Sequence, residues 1–197
     1  YIFLLLMSIR CATRSTIKCH YCNGNHTCRE CPEEADASLE NRIYIGTMFE
    51  EWVSSNIKCP NCNGHLKVVG NHTPSLDLVC ENPICNCIIE CKSKCLSVNK
   101  LPSDIMLPHG LYYDFVYRLN NGLNLIVVIY GFDRISKMIT IREVRFADNN
   151  HLHNPDIIKI KKRGSTNLSS ICIKDKNKLK KIENISQNLN FKFMPKN

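Results

Sequence analysis

Hydrophobic positions recur along this chain with two different periods, and the switches between them mark its elements. Residues 33–56 follow Pro32 with acids and then place Ile45, Phe49, Trp52 and Val53 on one helical face, which predicts a helix whose first turn is favoured by Pro and carboxylates. Residues 57–98 are short apolar runs broken by Cys, Pro, Gly and Asn, and predict short strands at HLKVVG, SLDLVC and IIECKSKCLSV. Residues 99–121 read as a proline-containing connection, LPSDIMLPHG, leading into LYYDFVYRL. The clearest hairpin is predicted over 123–147, where the unbroken apolar run LNLIVVIYGF is followed by a turn and the alternating strand MITIREVRFA.

Composition changes this picture in one respect above all. Thirteen cysteines in 197 residues far exceed ordinary use. An odd number, arranged as CxxC pairs at 19/22, 28/31 and 59/62, points to metal thiolates in a reducing compartment rather than to a disulfide framework. The apolar start YIFLLLM lacks a basic flank and a small-residue cleavage site, and it is too short to span a bilayer, so Met7 is a candidate true start. A soluble, intracellular protein without a membrane partner is expected. The net charge of +8 is concentrated: from Lys159 onward there are eleven Lys/Arg and two Asp/Glu. Such a segment, read as a tail, either attracts phosphate, with Lys161, Lys162 and Arg163 foremost, or serves as a solvated tail.

The fragment CHYCNGNHTCRECP is too short to bury a core, but a bound ion can replace one. Cys19, Cys22, His26 and Cys31 give C-x2-C-x3-H-x4-C, a tetrahedral donor set for zinc, with Cys28 the alternative to His26. This stretch resembles the CCHC zinc knuckle of nucleic-acid-binding proteins, although that family usually has one more residue before the histidine. The resemblance implies a grip on one or two unpaired bases, with Tyr21 stacking and Lys18 and Arg29 meeting phosphate.

A second set, Cys59, Cys62, Cys80 and Cys85, has the spacing C-x2-C-x17-C-x4-C and resembles a zinc ribbon, with Cys87 the alternative to Cys85. Two zinc sites are therefore expected. His65 and His72 are expected as loop residues, since four thiolates fill the shell. Inside this set the hairpin turns near Pro83–Ile84, so Asp77 lies opposite Glu90, and Lys92 shares Glu90's face of its strand. Two carboxylates at cross-strand distance suit Mg²⁺, and a neighbouring lysine suits activation of water. Over residues 38–147 this arrangement resembles the PD-(D/E)xK nuclease superfamily, with PS-x-D standing where that family often has PD. The resemblance implies a further acid from the preceding helix, Glu51 or Glu50.

The expected protein is α+β: a small zinc knuckle at 15–32, a mixed-sheet restriction-endonuclease-like domain at 33–158 with an inserted zinc ribbon at 59–85, and a basic segment at 159–197. Asp77, Glu90, Lys92 and Glu51 would cut phosphodiesters in DNA or RNA with Mg²⁺. The alternative is a non-catalytic zinc-finger factor of transcription, packaging or genome handling. A zinc-stabilised module for protein partners is a third possibility. The sequence is silent on oligomeric state and on sequence preference.

Overall fold

In the computed structural model the described residues are 39–70, 76–95, 105–133, 138–162, 168–182 and 188–190. They belong to a unit spanning Ile45–Lys192, except for the first residues of helix α1, which fall in a unit made of Tyr1–Tyr44 and Phe193–Asn197. Helix α1 (Leu39–Asn56) buries Phe49, Trp52 and Val53 on the face predicted from their spacing. It closes with the Asn56 side chain donating to the Trp52 carbonyl at 2.9 Å, just before a Cys-Pro turn.

Three short antiparallel strands follow: β1 (Leu66–Val68), β2 (Leu78–Cys80) and β3 (Ile88–Cys95). The chain then makes β4 (Ile105–Leu111) and helix α2 (Tyr112–Asn120) before returning as β5 (Leu123–Asp133). β5 runs parallel to β3, residue for residue from Ile88↔Leu123 to Cys95↔Tyr130. A parallel neighbour needs a crossover of this length, which β4 and α2 supply. β6 (Met138–Ala147) completes the predicted hairpin, with a bulge beside Ile129 and Tyr130. After the short helix α3 (Asn149–His153) come β7 (Ile158–Lys162), β8 (Leu168–Ile173), β9 (Lys180–Ile182) and β10 (Asn188–Asn190).

The main sheet has the order β1–β2–β3–β5–β6, and β9 and β10 share the far edge of β6. A second sheet has the order β4–β8–β7. The protein is thus α+β with a mixed sheet. β5 explains why: every residue from Leu123 to Gly131 is buried, because both faces of this strand are covered. Leu123, Leu125, Val127 and Ile129 join a core with Phe115 and Leu119 of α2, Leu152 of α3, and Ile105, Leu107, Ile158, Ile171 and Ile173 of the second sheet. On the other face the ring of Tyr130 lies 4.8 Å from that of Phe49. Each fully buried aliphatic side chain here contributes roughly 1.5–3 kcal/mol relative to exposure.

Two expectations change. Residues 105–110 of the expected connection belong to strand β4; Pro108 is tolerated because β4 lies at an edge of its sheet, where a missing N–H breaks no central ladder. The described residues of the basic segment are not a loose tail: β7, β8, β9 and β10 place them in both sheets, and Ile158 of β7 with Ile171 and Ile173 of β8 reach the core.

One buried network has no counterpart in the motifs or spacing of the chain. Glu143 receives Arg145 on one oxygen and Lys176 on the other, the latter at 2.7 Å, and Arg145 also donates to the Leu179 carbonyl at 3.0 Å. Burial opposes the Glu143 charge, but the two cations outweigh it and hold its pKa below the usual range. Glu143→Gln would leave Arg145 and Lys176 buried without a counter-ion, and a loss of about 3–5 kcal/mol in unfolding free energy is expected in urea titration.

Candidate functional site

Two tight turns bring four sulfurs together. In the first, the Asn63 N–H donates to the Cys59 carbonyl and the Cys59 N–H to the Gly64 carbonyl, both at 2.8 Å. Asn63, just after the second cysteine, takes a left-handed conformation (φ 60°), which asparagine tolerates. The second turn repeats this device: Cys85 donates to the Asn82 carbonyl at 3.0 Å, and Asn86, immediately after Cys85, has φ 46°. The Glu81 N–H donates to the His65 carbonyl at 2.9 Å and ties the two turns together.

The sulfur of Cys59 lies 3.6 Å from that of Cys85, and the sulfur of Cys62 lies 3.4 Å from that of Cys80. All four lie within 4.8 Å of one another. Four thiolates around one zinc ion, at about 2.3 Å each, sit roughly 3.8 Å apart, so the cluster can hold a metal such as zinc. The Gly64 N–H points to the Cys62 sulfur at 3.4 Å and, with its neighbours, pulls that thiol down to about 7. A side chain at Gly64 would begin 3.1 Å from the Cys80 sulfur and 3.2 Å from that of Cys62, so this position needs glycine for close approach.

Cys87, the sequence alternative to Cys85, is employed elsewhere. It is buried, which pushes its thiol up, and its sulfur accepts from Asn124 at 3.4 Å. The same Asn124 amide reaches the Ile88 and Gly122 carbonyls, both at 3.1 Å, and so ties β3 to β5. His65 is exposed, and its ring nitrogens lie 2.9 Å from the Lys58 ammonium rather than among the clustered sulfurs. The proposed knuckle residues Cys19, Cys22, His26, Cys28 and Cys31, with Lys18, Tyr21 and Arg29, lie outside the described residues, as do His72 and Arg163.

The hairpin that carries Cys80 and Cys85 also carries the acids. Leu78 pairs with Ile89 and Val79 with Ile88, the register that puts Asp77 opposite Glu90. Glu90 is only 2% exposed and pairs through Oε1 with Lys92. The Lys92 ammonium is also 3.8 Å from Asp77 Oδ2, and that oxygen accepts from the Cys91 N–H at 2.7 Å. One ammonium therefore spans both carboxylates. Burial works against its charge, but Glu90 and Asp77 more than reverse this and hold it above the usual lysine range. Glu50 of α1 senses this cluster: burial first, and then the Asp77 charge, raises its carboxyl to about 7. Glu51, the acid carried as catalytic from the sequence, is exposed, and its carbonyl accepts from Ser55.

No protein-family model matches this chain, and no curated protein is significantly similar to it. Among the described residues no helix is long and apolar enough to cross a membrane, and none of the described cysteines is in a disulfide.

Two outcomes are expected. Cys62→Ser should carry one metal ion fewer per chain by native mass spectrometry and melt at a lower temperature, and a strong chelator should lower the melting temperature of the parent protein, because metal affinity at such a site is folding energy. The raised Glu50 pKa means that the folded protein binds more protons than the unfolded chain between about pH 4.5 and 7. Stability contributed by this group therefore falls as pH rises through that window. Glu50→Gln should be the more stable form at pH 8, by on the order of 1 kcal/mol after allowance for partial hydration, and the difference should close by pH 4, as read from urea titrations.

Proposed function

We propose that the protein acts on nucleic acid and that Asp77, Glu90 and Lys92, with Glu50 or Glu51 of α1, form a phosphodiester-cleaving centre of PD-(D/E)xK type. The observation that carries this reading is the Asp77–Lys92–Glu90 constellation across one hairpin, with the Glu50 carboxyl perturbed by the same charges. Helix, strands, acid-bearing hairpin and later strands also follow in the order that the resemblance implies.

The donor set fits a hard cation: it is all oxygen, and a positive charge is already accommodated between two of its members. Mg²⁺ bound there would supply a Lewis acid that neutralises phosphate charge and acidifies water. Asp77 and Glu90 would hold it, and Glu50 or Glu51 would assist. The Lys92 ammonium, raised in pKa, stays protonated at neutral pH and would orient and polarise the attacking water. Zinc at Cys59, Cys62, Cys80 and Cys85 would have a structural part, as would a second zinc in the knuckle. Thiolate sites of this kind suit a reducing, intracellular setting. Lys161 and Lys162 are exposed on β7 and are available to phosphate.

A second reading is a non-catalytic zinc-dependent binding factor. It is favoured by one feature: Lys92 is already engaged by both carboxylates, as in a structural ion network. Cleavage decides between them. Zinc-loaded protein with Mg²⁺ should cut DNA or RNA, and Glu90→Gln or Lys92→Ala should reduce cutting by at least about a hundredfold while zinc content stays the same. Undiminished cutting by Lys92→Ala protein removes the catalytic reading, and retardation of oligonucleotides without cutting by the parent protein favours the second one.

A further inference from the structure

Helix α2 has two unlike faces. Phe115 and Leu119 are buried in the core, while Tyr113 and Tyr117, on the opposite side, are 61% and 63% exposed. Each of these tyrosines is accompanied by a cation. The Lys162 ammonium lies 5.0 Å from the centre of the Tyr113 ring and 3.3 Å from its hydroxyl, and the Arg118 guanidinium lies 5.8 Å from the centre of the Tyr117 ring. Lys161, beside Lys162 on β7, is exposed as well. Asp114 is the acid on this helix and is partly buried.

We infer that this face of α2 and the end of β7 form a binding surface for single-stranded nucleic acid. Exposed tyrosines taken singly are ordinary. Two on one helical face, each beside a cation, give a repeated unit: a π-face for a base and a positive charge for its phosphate. Residues four apart on a helix are separated by about 6 Å along its axis. That exceeds the roughly 3.4 Å rise between stacked bases, so the two rings suit bases spread apart rather than a stacked duplex. The charge complementarity favours a polyanion. A lipid surface would instead be met by an apolar wedge of Trp, Phe or Leu, whereas both side chains here end in hydroxyls. The inference rests on the nucleic-acid part of the proposed function but not on catalysis, and it gives the substrate a strandedness that Asp77, Glu90 and Lys92 do not.

The test uses the full zinc-loaded chain without Mg²⁺, so that hydrolysis is not required. Fluorescence anisotropy would compare labelled oligo-dT, oligo-rU and a duplex of equal length. Single strands should bind more tightly than the duplex. The double variant Tyr113→Ala/Tyr117→Ala should lose at least about tenfold in affinity for single strands, and the corresponding Phe variant should retain most of it, because stacking survives loss of the hydroxyl. Lys162→Gln should lower the slope of log affinity against log salt by about one. Unchanged single-strand affinity in the double Ala variant, with zinc content and melting temperature preserved, overturns the inference. So does binding of that face to phosphatidylserine vesicles without any to oligonucleotides. Failure of cleavage in the Mg²⁺ assay bears on the catalytic centre and leaves this result standing.

Discussion

The register of the β2–β3 hairpin is the constraint on which the candidate chemistry depends. Only Leu78 and Val79 pair with β3, a ladder too thin to fix alignment by itself. Its far end is held by the two cysteine turns, and its near end by the Cys91 N–H donating to Asp77. A slip of one residue would send Glu90 and Lys92 to the opposite face of the sheet and separate them from Asp77. Asp77 precedes Cys80 by three residues, so the sulfur cluster and the carboxylates are about 10 Å apart along one strand. The four-cysteine cluster at the tip and the acids at the base belong to the same mechanical element.

β5 gives that element something to stand on. Its parallel pairing with β3 extends along the whole of β3, and Asn124 adds side-chain bonds to the Ile88 and Gly122 carbonyls and to the Cys87 sulfur. The Asn124 carbonyl oxygen also accepts from the Asn149 N–H at 3.2 Å, which links the start of α3 to the same point. A polar side chain buried near the start of an apolar strand is tolerable because its amide and its carbonyl both find partners. Nothing in periodicity or spacing marks this asparagine among the many in the chain.

Features governed by local rules were the legible ones. The buried face of α1, the long hairpin of β5 and β6, the four-cysteine spacing and the Asp77–Glu90 symmetry follow from periods of 3.6 and 2 and from turn residues. What stayed hidden depended on distant partners. Glu143, Arg145 and Lys176 are ordinary charged residues until folding brings a strand and a later turn together. β4 was masked by its own proline, whose tolerance comes from a position at the sheet edge that only topology reveals. The choice between Cys85 and Cys87 turned on which way each sulfur faces around Asn86, and the prominence of Glu50 over Glu51 on which side of α1 meets the acids.

Among the described residues, β4 and β7 border the small β4–β8–β7 sheet, and each carries a deterrent to strand addition. Pro108 removes one donor from the β4 side, and Lys159, Lys161 and Lys162 crowd the β7 side with like charge. Replacing those lysines with threonine or valine would remove this like-charge repulsion and invite strand addition along β7.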